Sequence, residues 1–167
     1  MRIPWRVVVL AAVFASSVSG RARAQDTPAG SSRPRVEARL DAIATQGTGT
    51  LQAGAGAAIP AGTYVRIAAL VGAGAGGPGL SHASGRVDLV ARFLLDPFAQ
   101  QQRGFYAIAG VGMLAIDGTG RHAEPRLIVG IGVEGSPASG RVRALEIGLG
   151  GGVRAGFAWR DSRPNRR

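Results

Sequence analysis

The chain has no cysteine and no lysine. Without cysteine there are no disulfides, no thiolate nucleophile, no thiolate metal ligand and no lipid-bearing cysteine of the lipoprotein kind. Without lysine a Walker-type phosphate loop is excluded, because its lysine reaches the terminal phosphates. All twenty basic residues are therefore arginine. Aromatic residues make up only 5% of the chain. Beyond residue 24 no stretch of useful length carries apolar residues at helical spacing. Helical bundles and α/β folds are thereby set aside.

The first residues read as an export signal. Arg2 and Arg6 supply positive charge, residues 7–15 form a short apolar core, and Ala22-Arg23-Ala24 fits small-x-small cleavage. Residues 1–24 are therefore predicted to leave, with Gln25 as the new N-terminus. The apolar core is too short for a helix that must cross about 30 Å of hydrocarbon. The formal charge of +10 then falls by Arg2, Arg6, Arg21 and Arg23, and 10 − 4 gives +6. Residues 25–34, rich in Ser, Pro and Gly, read as a flexible lead-in. The excess charge is assigned mostly to loops and to a basic tail over 161–167, with Arg160, Arg163, Arg166 and Arg167 among its carriers.

What the chain does have is alternation. Side chains of a strand point to opposite faces in turn. Over 126–134, Leu127, Val129, Ile131 and Val133 share one face, and Arg126, Ile128, Gly130, Gly132 and Glu134 share the other. The same division marks 36–45, 50–59, 64–71 and 86–95. Residues 105–116 are apolar on both faces. The segment 141–160 keeps one parity throughout, with a possible hairpin at Gly150-Gly151-Gly152, because a three-residue loop preserves index parity. Residues 72–85 read as a glycine-rich loop. The expected fold is all-β: an antiparallel up-and-down β-barrel of about eight strands over 35–160.

Alternation fits two opposite arrangements. A soluble barrel turns its oily face inward, whereas a membrane barrel turns it toward lipid and encloses its charges. Glycine crowds the charged face at Gly54, Gly56, Gly130, Gly132, Gly148, Gly150, Gly152 and Gly156. It costs strand stability there, roughly 0.5–1 kcal/mol against alanine, which a narrow lumen would justify and a wet surface would not. The charges of that face also nearly balance. Glu37, Asp41, Asp88, Glu134 and Glu146 stand against Arg39, Arg66, Arg86, Arg92, Arg126 and Arg154. Buried charges need partners, so these eleven residues are predicted to form an ion-pair network inside the barrel. An alanine-rich oily face and few aromatics argue the other way. They keep open a soluble exported barrel, in the periplasm or secreted, that binds an apolar ligand as lipocalins do.

Motifs for chemistry are weak. Residues 130–135 and 72–77 both match G-x-G-x-x-G, but no helix follows either, and such matches are expected by chance among 27 glycines. His82 and His122 could meet Glu124 at a barrel mouth, and Ser81-His82 with Ser84 offers a hydroxyl beside an imidazole. No G-x-S-x-G elbow accompanies them. Glu134 and Glu146 lie on neighbouring strands and could form a carboxylate pair, with Arg126 and Arg154 able to neutralise them. The expectation is a chain without catalytic residues, cofactor or metal.

An export signal, no cysteine, about eight amphipathic strands and glycine on the charged face together resemble the small outer-membrane β-barrels of bacteria. In that family the last strand usually ends on an aromatic read by the assembly machinery. Gly152, Ala155 and Phe157 lie at suitable spacing, with Trp159 beyond, but residues 160–167 continue past it. The resemblance implies an outer-membrane, monomeric, non-enzymatic protein with a structural or interaction role. Its partners would be membrane lipid, with envelope polymers as a second candidate and no nucleic acid.

Overall fold

The computed structural model describes residues 34–95, 103–118, 123–136 and 140–161. The predicted signal, most of the lead-in, residues 162–167 and His122 lie outside them. Eight strands follow in chain order: β1 (Arg35–Thr45), β2 (Thr48–Pro60), β3 (Val65–Gly77), β4 (His82–Leu94), β5 (Arg103–Ile116), β6 (Glu124–Gly135), β7 (Arg141–Leu149) and β8 (Val153–Asp161). Each is antiparallel to the next, and β8 returns to β1, with Glu37 opposite Arg160 and Leu40 opposite Phe157. The result is a closed up-and-down barrel, in which no strand edge is left unpaired.

The count of eight is decided by the glycines at 150–152. Leu149 stands opposite Val153, and the Gly150 N–H donates to the Gly152 carbonyl at 3.0 Å. Gly151 turns the corner at φ 76°, a conformation that costs a side-chain-bearing residue and costs glycine nothing.

Residues 72–85 depart from the expected loop. β3 continues to Gly77 and β4 starts at His82, with Gly72 opposite Arg86, Gly74 opposite Ser84 and Gly76 opposite His82. Only residues 78–81 make the turn. Glycine and alanine carry too little bulk to reveal a two-residue period, so the alternation is present there but invisible in hydropathy. The glycines are nonetheless required: a Cβ on Gly74 would run into the Leu51 carbonyl, and one on Gly76 into Thr50 and Ser84.

An even number of strands brings the chain back to the end where it began. This terminal end also carries the connections 61–64, 95–102 and 136–140. The far end carries 46–47, 78–81, 117–123 and 150–152. Bacterial membrane barrels commonly have short turns at one end and longer loops at the other. Here neither end does.

The two faces separate as the alternation requires. Leu127 is 77% exposed and Ile131 63%, and Leu51, Val87, Leu89, Val111, Leu145 and Ile147 also point outward. Most of the charged and glycine-bearing strand positions point in.

Candidate functional site

Among the described residues, chemically active groups gather in the interior. β1 contributes Glu37, Arg39 and Asp41, at alternate positions and all buried. Arg39 sits between the two carboxylates and binds both. Its Nη1 reaches Glu37 Oε1 at 3.1 Å, while Nε and Nη2 reach the two Asp41 oxygens at 2.6 Å each. Nη2 also donates to Glu146 of β7 at 2.8 Å. A planar guanidinium suits this, because its five donors lie in a fixed fork that matches carboxylate geometry.

Arg92 of β4 closes a two-pronged pair on Glu37, at 2.9 and 2.8 Å, and lies 3.3 Å from Glu146. Arg86 binds Asp41 and lies 3.3 Å from Asp88. Arg154 reaches Asp88 at 2.9 Å and Asp41 at 3.5 Å. Arg66 of β3 donates to both Glu134 oxygens at 3.1 Å. Eight of the eleven residues expected inside thus form one connected set, and Arg66 with Glu134 forms a separate pair that Arg160 ties to it. The eleventh, Arg126, does not join it. It lies near the far end, 3.5 Å from Glu124 and 3.4 Å from the Gly150 carbonyl.

Sequence reasoning misses Arg160. Expected in the solvated tail, it is a buried residue of β8. Its Nε donates to Glu37 at 2.8 Å, Nη1 binds Glu134, and Nη2 donates to Glu146 at 2.5 Å. Glu134 and Glu146, the candidate carboxylate pair, therefore share this cation. Parity could have found it: if Trp159 faces out, the next residue faces in. Six arginines (39, 66, 86, 92, 154, 160) meet five carboxylates (37, 41, 88, 134, 146), so the set carries 6 − 5 = +1.

Glycine makes the room. A Cβ on Gly156 would come within 2.6 Å of Asp41 Oδ1 and 3.0 Å of Arg39 Nη2, and one on Gly72 within 2.8 Å of Arg86 Nε. Gly132 faces the ring of Tyr106, which leaves no space for a methyl group. Tyr106 borders both kinds of environment. Its hydroxyl donates to Glu146 at 2.9 Å, and Arg160 lies 5.1 Å from its ring centre. Its other neighbours form the apolar part of the interior: Leu70, Val90, Leu94, Ile108 and Ile128, with Ala58 and Ala68. A cavity of about 20 Å³ beside Gly130 and Gly148 touches this cluster. That is little more than the ~10–15 Å³ one water needs, in largely apolar walls.

The remaining candidates are simpler. Ser81 and His82 do meet, with Oγ 3.0 Å from Nδ1, but the hydroxyl already donates to the Pro78 carbonyl at 2.9 Å. A hydroxyl has one proton, so Nδ1–H must be the donor, and the imidazole cannot act as base toward this serine through that nitrogen. The pair closes a turn. Neither G-x-G-x-x-G segment leads into an α-helix: each begins inside a strand, β6 or β3, and only a three-residue 3₁₀ turn, Pro78–Leu80, follows the second.

The outer face has its own asymmetry. Phe93, Phe105 and Trp159 lie in the terminal half, Tyr64 lies in the connection at that end, and Phe157, at mid-strand, meets Trp159 edge-on at 4.4 Å. Among the described residues no outward aromatic lies at the far end, where the strands carry Ala44, Gly49, Ala75, Ala83, Gly85 and Ala115.

No protein-family model matches the chain, and no curated protein matches it. Among solved structures, it is similar to the crystal structure of the N-terminal β-barrel domain of Pseudomonas aeruginosa OprF, with a TM-score of 0.56 and 16% identity over 76% of this chain and 96% of that one. At that identity the likeness is one of fold. It extends nearly the full length of the OprF domain, and it makes this chain a small closed barrel of the same architecture.

Proposed function

We propose that this chain is an outer-membrane β-barrel of bacteria with a structural or interaction role, and that its interior holds the barrel together and does no chemistry. The observation that carries the reading is the orientation of the two faces. Ionic side chains are enclosed and paired, while leucine, valine and isoleucine are exposed around the wall. In water such a wall would be a very large apolar patch, far beyond the few hundred Å² that soluble monomers expose. Against acyl chains it costs nothing. Strands of 9 to 14 residues suffice to cross a bilayer when tilted. The likeness in fold to a barrel domain whose parent is named as OprF supports the same setting.

A closed interior speaks against transport. Eight strands enclose only enough space for side chains to fill, and here Arg39, Arg92, Tyr106 and Leu70 fill it at 2% exposure or less. Monomeric behaviour and contact with lipid follow from the same reading, and envelope polymers remain candidates for the ends of the barrel. An apolar ligand, by contrast, would have to displace the ion pairs.

The test is labelling in liposomes. Ile131→Cys on the outer wall should react with a lipid-partitioning maleimide and not with a bulky water-soluble one. Ala144→Cys, inside and 1% exposed, should react with neither. Gly132 is unsuitable as the inner position because a side chain there would strike Tyr106. A refolded protein that stays soluble without detergent, and whose position 131 takes the water-soluble reagent, would overturn the reading.

A further inference from the structure

On the strands other than β5, outward-facing charges are confined to one corner. They are Arg141 and Arg143 of β7 and Asp161 of β8, all at the terminal end. Elsewhere on those strands the outer wall is uncharged. Arg141 and Arg143 are two residues apart, so both side chains leave the same face, and both are exposed. Arg143 stands directly opposite Trp159, whose ring is braced by Phe157. On its other side Arg143 is flanked by Gly135, whose missing side chain leaves the wall low beside it. Two guanidinium groups, a notch and an indole thus share one patch.

This corner lies at the end of the barrel that carries Phe93, Phe105 and Trp159, with Phe157 at mid-strand and no outward aromatic at the far end among the described residues. Tryptophan and tyrosine collect at the depth of lipid headgroups, where the ring can lie in the apolar layer and its polar edge in water. Arg143 is level with the indole, and Arg141, two residues nearer the end of the barrel and opposite Asp161, is then level with the phosphates. Guanidinium binds phosphate through paired, charge-assisted N–H donors. Asp161 offsets part of the charge, leaving the patch at +1 (two arginines, one aspartate). We propose that Arg141 and Arg143, beside Trp159, form a docking site for an anionic glycerophospholipid headgroup at the terminal end of the barrel. The inference rests on the membrane reading above and names a partner for one part of its wall.

The chain has two tryptophans, Trp5 and Trp159, so Trp5→Phe leaves Trp159 as a single reporter. The protein is refolded into phosphatidylcholine liposomes that contain a small fraction of brominated phosphatidylglycerol or, in parallel, brominated phosphatidylcholine. Brominated phosphatidylglycerol should quench Trp159 several-fold more than brominated phosphatidylcholine at equal fraction. Arg141→Gln with Arg143→Gln should abolish the excess. Arg143→Gln alone should weaken the preference about five-fold, the usual effect of one arginine at an anionic surface, and Arg143→Lys should retain most of it. Equal quenching by the two lipids would overturn the site and leave the membrane reading intact. So would an excess that survives both substitutions, or one that soluble glycerol phosphate competes away. Quenching by iodide from the buffer and by neither lipid would overturn both. Heat-modifiable mobility checks that each variant has closed its barrel.

Discussion

The interior is divided into two regions that are stabilised in different ways. One side, built on β1, β7 and β8 with Arg86, Asp88 and Arg92 of β4, Arg66 of β3 and Glu134 of β6, is ionic. The other, from β2 through β6, is apolar around Leu70, Val90, Ile108 and Ile128. The apolar side loses a methylene at a time. The ionic side does not degrade in that gradual way, because removing one partner leaves a charge where water cannot solvate it. Tyr106 lies on the boundary and takes part in both.

The difference can be sharpened by three substitutions, each read as the urea midpoint of the folded barrel in lipid vesicles. Arg39→Met should have the largest effect. It strips Glu37, Asp41 and Glu146 of a shared cation with no exposed surface, and a loss of about 4 kcal/mol is expected for a broken buried pair. Leu70→Ala, on the apolar side, should cost about 3 kcal/mol, the usual range for a buried leucine that leaves a void. If Leu70→Ala proved the costlier of the two, the ionic side would not be the more brittle one. Gly132→Ala should cost about 1–2 kcal/mol by crowding Tyr106. Combining it with Tyr106→Leu should recover part of that loss. Full additivity of the pair would show that the ring is not what excludes a side chain at 132.

Much of this arrangement is legible in the sequence, and for a definite reason. A period of two survives in any strand whose faces differ in chemistry, so Glu37, Arg39 and Asp41 declare a common face by their spacing alone. The direction of that face is arguable from glycine: Gly132 and Gly156 occupy inward positions because Tyr106 and Arg39 fill the space in front of them. Where the faces do not differ, the period vanishes. Residues 72–77 are glycine and alanine on both sides, and read as loop although they complete β3. Arg160 escapes notice for another reason. It follows the last aromatic and precedes a basic run, so local composition outweighs parity. The partners of each arginine are not legible at all, because they depend on the stagger between strands far apart in sequence, as for Glu37 and Arg160.

The position of Arg160 bears on how the barrel comes together. It is the last lumen residue among those described, and it serves Glu37 of the first strand together with Glu134 and Glu146. Until β8 docks on β1, those three carboxylates lack the cation they share and hold Arg39, Arg66 and Arg92. Zipping up the seam between first and last strands thus also adds the cation that ties the Arg66–Glu134 pair to the rest of the network. A chain truncated after Trp159 would keep its ladder of backbone hydrogen bonds almost entire, and Glu37 and Glu146 would keep Arg39 and Arg92, yet the Arg66–Glu134 pair would lose its tie through Arg160 to the rest.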